Sequence, residues 1–321
     1  MTAASNKALV VRVPSGGQSP TLSKEDIPLP KPAENQVLIK LSHVAQNPTD
    51  VQSFDSNTFG DGAVLGCDFV GEVIELGSNV TRLSKGDVIA GLVWGGEVKG
   101  VGAYSHYCLA DERISYKLPG GVSRAEASTI PLAAATAWLA LFSKNCLGLE
   151  RSQASSSSVL IWGGSTSVGL YGIQLASLCG FDVVSACSPK HFDMVKSYGA
   201  KHVFDYKDGQ VAEKIKQVVP NLMHVFDTAN TENVAKGTQV TDVLVWTSFL
   251  KDHSFGDFKW PASKHDHELS AELFERLPQW LQQGSLKPNN PKVYHGLDAV
   301  RNGFQEYRDG KISAYKIVYV L

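Results

Sequence analysis

The sequence has few cysteines, no long apolar segment and almost no excess of charge, and each shortage argues against a class of protein. Its five cysteines are scattered without a C-x-x-C pair, so neither a zinc knuckle nor a disulfide framework is expected. The N-terminus lacks a basic stretch followed by an apolar one, which argues against a secretory signal. The longest nearly apolar stretch, residues 129–142, is shorter than the roughly 20 residues that cross a bilayer. We therefore expect a cytoplasmic protein with reduced thiols and no membrane partner.

Charge is nearly balanced, with 30 basic and 32 acidic residues and a formal net charge of −2. A surface without excess positive charge gives no reason to expect nucleic acid or an anionic membrane as a partner. The length of 321 residues and the hydrophobic content of 43% allow two domains of ordinary size, each with its own core.

The first 120 residues predict short strands separated by turn residues. VLIKLSHVA (37–45) and FVGEVIEL (69–76) have β-branched and alternating character, and Gly and Pro punctuate the strands that follow. Many short strands at this spacing predict a small, partly open β-barrel. The closing KISAYKIVYVL returns to strand character, and we expect it to rejoin this domain.

Helices begin after Pro119. Ser123 and Glu126 form a capping-box pattern that starts a helical region, and Pro131 is expected to divide that region into two helices. From VLIWGG (159–164) onward, apolar strands alternate with helical segments as far as HVFDT (224–228). This alternation predicts βαβ units and a doubly wound parallel sheet, so the fold class is α/β.

A glycine-rich loop, GGSTSVG, lies between the first of these strands and its helix. Gly163, Gly164 and Gly169 suit a tight turn whose backbone N–H groups and helix dipole hold a pyrophosphate. Thr166 stands where the common pattern has its central glycine. A purely structural strand–helix turn is the alternative, but the strand before the loop and the helix after it favour dinucleotide binding.

The end of the second strand discriminates between cofactors. A site for NAD carries an acidic residue there, about 20 residues after the loop, to hold the ribose 2′-hydroxyl. DVVSACSPKHF ends instead in Ser188, Lys190 and His191, which suit a 2′-phosphate. NADPH is therefore the predicted cofactor, and a merely polar surface turn is the alternative.

Several motifs, taken in order, resemble the medium-chain dehydrogenase/reductases. They include VAQNPTD (44–50), LGCDFVGEVIELGSNVTRLSKGDVIAG (65–91), GAYSHY (102–107), IPLAAATAW (130–138) and GGSTSVG. The resemblance covers nearly the whole chain. Within the family, NP-x-D, GGSTSVG and CSPKHFDMVKSYGA resemble fungal toxin-cluster oxidoreductases, including trans-acting enoyl reductases that serve polyketide synthases.

The resemblance implies a GroES-like substrate domain (1–125 and 288–321) and a Rossmann NADPH-binding domain (126–287). It implies that Asn47 and Thr136 line the nicotinamide and substrate pocket, although Thr136 could merely cap or pack in its Ala-rich helix. It also implies residues around the cofactor's phosphates. For the pyrophosphate these are Gly163, Gly164, Ser165, Thr166, Ser167, Val168 and Gly169, and for the 2′-phosphate they are Ser188, Lys190, His191 and Tyr206. Tyr206 could also be an ordinary aromatic residue at the end of a strand.

The positions that hold catalytic zinc in related enzymes carry unsuitable residues here. Such zinc needs three protein ligands, but Asn47-Pro48 and Gly66-Cys67-Asp68 stand at the corresponding positions. Only Cys67 and Asp68 could coordinate zinc, and no partner ligand for them is evident in the sequence. A zinc-free member is therefore expected. Without a Lewis acid, reduction of an activated C=C is the expected chemistry. An enone, a quinone or an enoyl thioester, free or bound to a carrier protein, would accept the hydride.

The proton donor is the least defined part of this site. Relatives often have Tyr or Lys shortly after NP-x-D, whereas VQSFDSN offers Gln52 and Asp55. Tyr104 in GAYSHY and a bound water are the other candidates.

The segment after Asp227 is about 25 to 30 residues shorter than the family resemblance implies. TQVTDVLVW (238–246) either substitutes as a strand or is a later element joined on directly. Two hypotheses follow: a working NADPH-dependent reductase, with a polyketide synthase as its partner in trans, or a catalytically impaired member that acts as a binding protein. Both a monomer and a homodimer are compatible with the sequence.

Overall fold

The computed structural model describes residues 5–14, 19–229, 238–255 and 258–321, and these form two compact units. The first unit comprises Met1–Leu132, Phe274–Gln282 and Pro288–Leu321, and the second comprises Ala133–Leu273 and Gln283–Lys287. Residues 126–132 and 274–282 thus belong to the first unit, whereas the sequence-based boundaries placed them in the second. No helix among the described residues combines the length and apolar character that a membrane span requires.

In the first unit, the described residues up to Ser128 form seven strands and two short helices. The strands are β1 (Ser5–Arg12), β2 (Thr21–Pro28), β3 (Gln36–Ala45), β4 (Asp68–Leu76), β5 (Val88–Leu92), β6 (Tyr107–Asp111) and β7 (Ser115–Lys117). The helices are α1 (Pro48–Asp55) and α2 (Arg124–Ser128). Ser123 and Glu126 form the predicted capping box at the start of α2, and α2 packs against β3 and β4. This packing explains why the segment after Ser123 belongs to the first unit.

The second unit contains a four-stranded parallel sheet, as the alternating pattern predicts. Its strands are β8 (Ser158–Trp162), β9 (Asp182–Cys187), β10 (His202–Asp205) and β11 (His224–Asp227), in the order β10-β9-β8-β11. Helix α3 (Pro131–Phe142) begins at the predicted proline break. The helices between the strands are α4 (Ser167–Leu178), α5 (Phe192–Ser197) and α6 (Val211–Val218).

Beyond β11 the described chain adds no further strand to this parallel sheet. Residues 238–244 are irregular and a 3₁₀ turn follows at Val245–Ser248, so the alternative that TQVTDVLVW forms a strand is wrong. The hairpin β12 (His253–Phe255) and β13 (Phe258–Trp260) stands apart, and helix α7 (Lys264–Gln282) follows it. Part of the shortened segment, residues 230–237 and 256–257, lies outside the described residues.

The C-terminal residues return to the first unit and complete its main sheet. They form β14 (Pro291–His295), α8 (Val300–Arg308) and β15 (Lys316–Val320). The sheet runs β14-β15-β3-β4-β5-β7, and β6 pairs with β3. The prediction that KISAYKIVYVL rejoins the first domain is therefore confirmed. The core of the unit includes Val37 and Ile39 of β3, Phe69 of β4 and Tyr319 of β15.

Candidate active site

The glycine loop forms a tight turn between β8 and α4. The N–H groups of Gly163 and Gly164 both donate to the carbonyl of Ala186, at 3.0 and 3.1 Å. Gly163 has a φ of +81°, which disfavours any side chain. A Cβ on Gly164 would lie 2.0 Å from Oγ of Ser185. Both positions therefore require glycine.

Thr166 is the N-cap of α4 and does not need the freedom of a glycine. Its φ of −72° and ψ of 160° are extended, and its Oγ1 accepts the N–H of Gly169 at 2.9 Å. The Thr166 and Thr228 hydroxyls lie 2.8 Å apart. Oγ1 of Thr228 also donates toward the carbonyls of Trp162 and Gly163, at 2.9 and 3.0 Å. The hydroxyl at position 166 thus closes the loop against the end of β11.

This loop suits the pyrophosphate of a dinucleotide. The glycines allow the tight turn, and α4, which has twelve residues, begins there with its positive dipole end. Gly163, Gly164, Ser165, Ser167 and Val168 line the turn around the capping Thr166. Because the N–H groups of Gly163 and Gly164 are engaged by Ala186, the start of α4 is the part of the loop that suits an anion.

The residues predicted around the 2′-phosphate follow two neighbouring strand ends. β9 ends at Cys187, which is opposite Asp205 of β10 in the parallel register, so Ser188 and Tyr206 follow at the same edge of the sheet. Lys190 and His191 belong to a 3₁₀ turn, Pro189–His191, in which the N–H of His191 donates to the carbonyl of Ser188 at 2.9 Å.

Charged residues at this edge include Lys190, Asp205 and Lys207, and the Lys207 ammonium lies over the Tyr206 ring. Burial and the nearby Lys190 lower the pKa of His191, which disfavours its charged form. Asp205, at the end of β10 opposite Cys187, is an acid near the predicted 2′-phosphate site that the sequence pattern does not point to. Its carboxylate accepts the N–H of Lys207 at 3.0 Å. Asp205 also contributes, after burial, to raising the pKa of Cys187 to about 11.

Asn47 and Tyr104, two of the predicted catalytic residues, meet at a carboxylate that the sequence did not single out. Asp50 accepts the N–H of Asn47 at 2.7 Å and the hydroxyl of Tyr104 at 3.0 Å. The thiol of Cys67 donates to the same carboxylate at 3.4 Å. Asp50 is 2% exposed, and burial raises its pKa to about 6. Tyr104 is completely buried and its pKa is raised, chiefly by burial and by Asp50.

A second carboxylate, Asp68, holds the Asn47 side chain. Asp68 is completely buried and receives three donors. These are Nδ2 of Asn47 at 2.9 Å, Nζ of Lys316 at 2.5 Å and the N–H of Leu132 at 2.6 Å. Lys316 is 3% exposed and also lies 3.3 Å from the carbonyl of Thr129. Sequence reasoning missed Lys316, for which the available signal was a lone charge in the apolar strand KIVYV.

The other predicted catalytic residues lie elsewhere. Gln52 is on the exposed side of α1, and its Nε2 donates to the Tyr307 hydroxyl at 3.1 Å, so it does not join the buried cluster around Asp50. Thr136 is half-buried on α3 and belongs to the second unit, whereas Asn47 belongs to the first.

The donor groups near Asn47 do not suit zinc. The Asp68 carboxylate already receives an ammonium and two N–H donors, so its oxygens are engaged within the protein. Burial, together with the carboxylates of Asp50 and Asp68, raises the pKa of the Cys67 thiol well above its ordinary value, which opposes the thiolate that a metal requires. Over the described ranges, no three His, Cys, Asp or Glu side chains form a group that could hold a metal ion.

Two family models match the chain. The alcohol dehydrogenase GroES-like domain matches residues 33–120, and the zinc-binding dehydrogenase domain matches residues 167–243. Curated relatives include the trans-enoyl reductase ACTTS2 of Alternaria alternata, 31% identical over 98% of each chain. The trans-enoyl reductase thnE of Trichoderma harzianum is 32% identical over 92% of each chain. The alignment with ACTTS2 runs over 349 positions, more than the 321 residues here, so that relative contains residues without a counterpart in this chain.

Solved structures share the fold along nearly the whole chain. An alcohol dehydrogenase superfamily protein from Novosphingobium aromaticivorans has a TM-score of 0.78 and 20% identity, covering 98% of this chain and 99% of its own. The CurK enoyl reductase has a TM-score of 0.72 and 20% identity, with the same coverage.

Proposed function

Since the chain belongs to the medium-chain dehydrogenase/reductase family of oxidoreductases, we propose that it is an NADPH-dependent, zinc-independent reductase of activated C=C bonds. Two observations together support this proposal. The glycine loop has the form of a dinucleotide-binding turn, and the buried side chains around Asn47 are engaged in hydrogen bonds that do not suit zinc. The substrate class is an enoyl thioester, an enone or a quinone. NADPH, when bound, would supply the hydride.

Preference for NADPH over NADH is supported by the strand ends of the second unit. β9 ends at Cys187 and is followed by Ser188 rather than by an acid, so a free ribose 2′-hydroxyl has no carboxylate acceptor at this end of the strand. Lys190 offers a 2′-phosphate a charge-assisted contact, and Ser188 offers a hydroxyl. Asp205 is engaged by the N–H of Lys207, which reduces its capacity to bind the ribose.

The chain's own groups would bind and orient the reactants. The loop around Thr166 would hold the pyrophosphate, and Asn47, whose side chain donates to Asp68, stays a predicted residue of the substrate domain. Reduction of a conjugated C=C adds the hydride at the β-carbon and a proton at the α-carbon, and it needs no Lewis acid if hydrogen bonds stabilise the enolate. The Tyr104 hydroxyl donates a hydrogen bond to the buried Asp50. This engagement favours a bound water over Tyr104 as the source of the proton that reaches the α-carbon.

Relatives named trans-enoyl reductases support a role in fungal secondary metabolism. We propose that the substrate is an enoyl chain bound to a carrier protein and that a polyketide synthase is the partner in trans. The competing hypothesis is a catalytically impaired member that acts as a binding protein. It is supported by the parallel sheet, to which the described residues after β11 add no further strand.

A titration of the purified protein with NADPH and with NADH, followed by nicotinamide fluorescence, tests the cofactor proposal. Lys190→Ala should weaken NADPH binding about 10-fold and leave NADH binding unchanged, because one charge-assisted contact is lost. Lys201→Ala is the matched control, since Lys201 pairs with Asp182 at the opposite end of the sheet. No binding at high micromolar NADPH would refute the reductase. Binding without oxidation by enoyl thioesters, enones or quinones would favour the impaired member.

A further inference from the structure

We propose that Thr228, which follows β11, positions the pyrophosphate loop by holding the hydroxyl of Thr166, so that the backbone N–H groups of Ser165 and Val168 remain for the anion. The inference rests on the proposed function, because it concerns the same dinucleotide loop. It adds a residue 62 positions away from Thr166, which the glycine pattern of the loop does not include. All four residues belong to the second unit.

The Thr228 hydroxyl contacts the loop at several atoms. Its Oγ1 lies 2.9 Å from the carbonyl oxygen of Trp162, 3.0 Å from that of Gly163 and 2.8 Å from Oγ1 of Thr166. The loop also needs a glycine beside this hydroxyl, since a Cβ on Gly163 would lie 2.5 Å from the same oxygen. The residue that follows β11 is therefore packed directly against the loop.

The hydrogen bond between the two threonines has a direction. Each hydroxyl has one hydrogen to donate, and a carbonyl oxygen only accepts. The Thr228 hydrogen therefore goes to the carbonyls of Trp162 and Gly163, because otherwise both would face a hydroxyl oxygen with no hydrogen between them. The contact with Thr228 is then made by the hydrogen of Thr166. Since Oγ1 of Thr166 also accepts the N–H of Gly169, this side chain has no hydrogen left for a phosphate oxygen.

Most backbone N–H groups of the loop are also engaged. Those that donate to other groups of the protein include the N–H groups of Gly163, Gly164, Thr166 and Gly169. Within the part of the chain that the structure describes, the N–H groups of Ser165 and Val168 donate to no protein group. Both residues are half-buried, and Val168 lies in the first turn of α4, where unpaired N–H groups favour an anion.

Thr166 lies between these two N–H groups in the chain, so holding its side chain holds the backbone on both sides of it. Thr228 is therefore a positioning residue, which contacts the loop and not the ligand. Without the Thr228 hydroxyl, the Thr166 hydroxyl loses its acceptor and can rotate, and the loop is less well ordered for the pyrophosphate. The strand ends that carry Ser188 and Lys190 make no contact with Thr228 in the bonds described, so binding of a 2′-phosphate there should not change.

The test compares ligands that contain a pyrophosphate with one that does not. NADPH and 2′-phospho-ADP-ribose contain it, whereas 2′-AMP has only the adenosine and the 2′-phosphate. In calorimetric titrations, Thr228→Val should weaken binding of the first two about 3- to 10-fold, as expected for one neutral hydrogen bond, and leave the Kd of 2′-AMP unchanged. Thr228→Ser keeps the hydroxyl and should retain all three affinities.

A double-variant cycle tests whether Thr228 acts through Thr166. Thr166→Val should also weaken NADPH binding, and adding Thr228→Val to it should cause no further loss, because both residues act through one contact. Thr247→Val is the matched control. Thr247 belongs to the same unit and its hydroxyl also donates to a carbonyl, that of Leu244 at 2.9 Å, so this variant should change no Kd.

The outcomes separate this inference from the proposed function. If NADPH binds the unmodified protein but Thr228→Val weakens all three ligands equally, or weakens none, the positioning role is overturned and the reductase stands. Additive losses in the double variant would overturn the action through Thr166. If the unmodified protein binds neither NADPH nor 2′-phospho-ADP-ribose, the proposed function and the inference both fail. Melting curves identify losses caused by unfolding, and Thr228→Ala carries the same test if Thr228→Val does not fold.

Discussion

Replacing Asp50 with asparagine is expected to stabilise the protein at neutral and alkaline pH and to change its stability little near pH 4. Burial raises the pKa of Asp50 from 3.8 to about 6. Because this carboxyl group binds its proton more tightly in the folded state, its contribution to stability is complete below about pH 4. That contribution is lost as the pH rises through about 6.

The size of the effect follows from that difference in pKa. The step from 3.8 to about 6 corresponds to about 3 kcal/mol at 25 °C. Asparagine has nearly the same shape and no charge, and its Oδ1 can still accept the N–H of Asn47 and the Tyr104 hydroxyl. The gain in the free energy of unfolding for Asp50→Asn should therefore increase between pH 4 and about pH 6, approach 3 kcal/mol, and level off above.

Urea unfolding of Asp50→Asn and the unmodified protein at four pH values between 4.5 and 8 measures this gain. Asp61→Asn is the control, because the N–H of Val13 and the side chain of Arg12 lower the pKa of the exposed Asp61. Its contribution is lost on acidification instead, so Asp61→Asn should show no gain that develops near pH 6. A gain for Asp50→Asn that is constant from pH 4.5 to 8, or absent, would refute the reasoning.

Two further predictions concern the glycine loop. Gly164→Ala should abolish NADPH binding in a fluorescence titration, because its Cβ would lie 2.0 Å from Oγ of Ser185. Gly164→Ala/Ser185→Ala should recover part of this binding. If the double variant recovers none, the clash with Ser185 is not the cause of the loss. Thr166→Val should lower the free energy of unfolding by about 1 kcal/mol, since the N–H of Gly169 loses its cap. Thr166→Ser should retain that stability in urea unfolding, and equal losses in the two variants would show that the hydroxyl is not what matters.

Local chemistry made much of the fold predictable. The alternation of apolar strands and helices between β8 and β11 follows from backbone hydrogen bonding and hydrophobic periodicity within short windows. The capping box of Ser123 and Glu126 and the break at Pro131 depend on neighbours a few residues apart. The loop of Gly163 and Gly164 was recognised for the same reason.

Long-range partners made the rest unpredictable. Thr166 looks like a substituted glycine in the sequence, and its role as a cap closed by Thr228 depends on a contact across 62 residues. Tyr104 is a candidate proton donor in the sequence, but its hydrogen bond to Asp50, 54 residues away, depends on the fold. Gln52 stands close to Asn47 in the chain, yet the turn of α1 directs it to Tyr307.

The sequence by itself therefore determined the α/β class, the dinucleotide loop and the family, because these depend on patterns of neighbouring residues. Only the tertiary structure decided the surroundings of Asn47. Asp68 and Lys316 are 248 residues apart, and a carboxylate or an ammonium in an apolar strand has no predictable state until the fold supplies its partner. An unpaired buried charge is costly, so Asp68 and Lys316 pair, and Asp68 also accepts Nδ2 of Asn47.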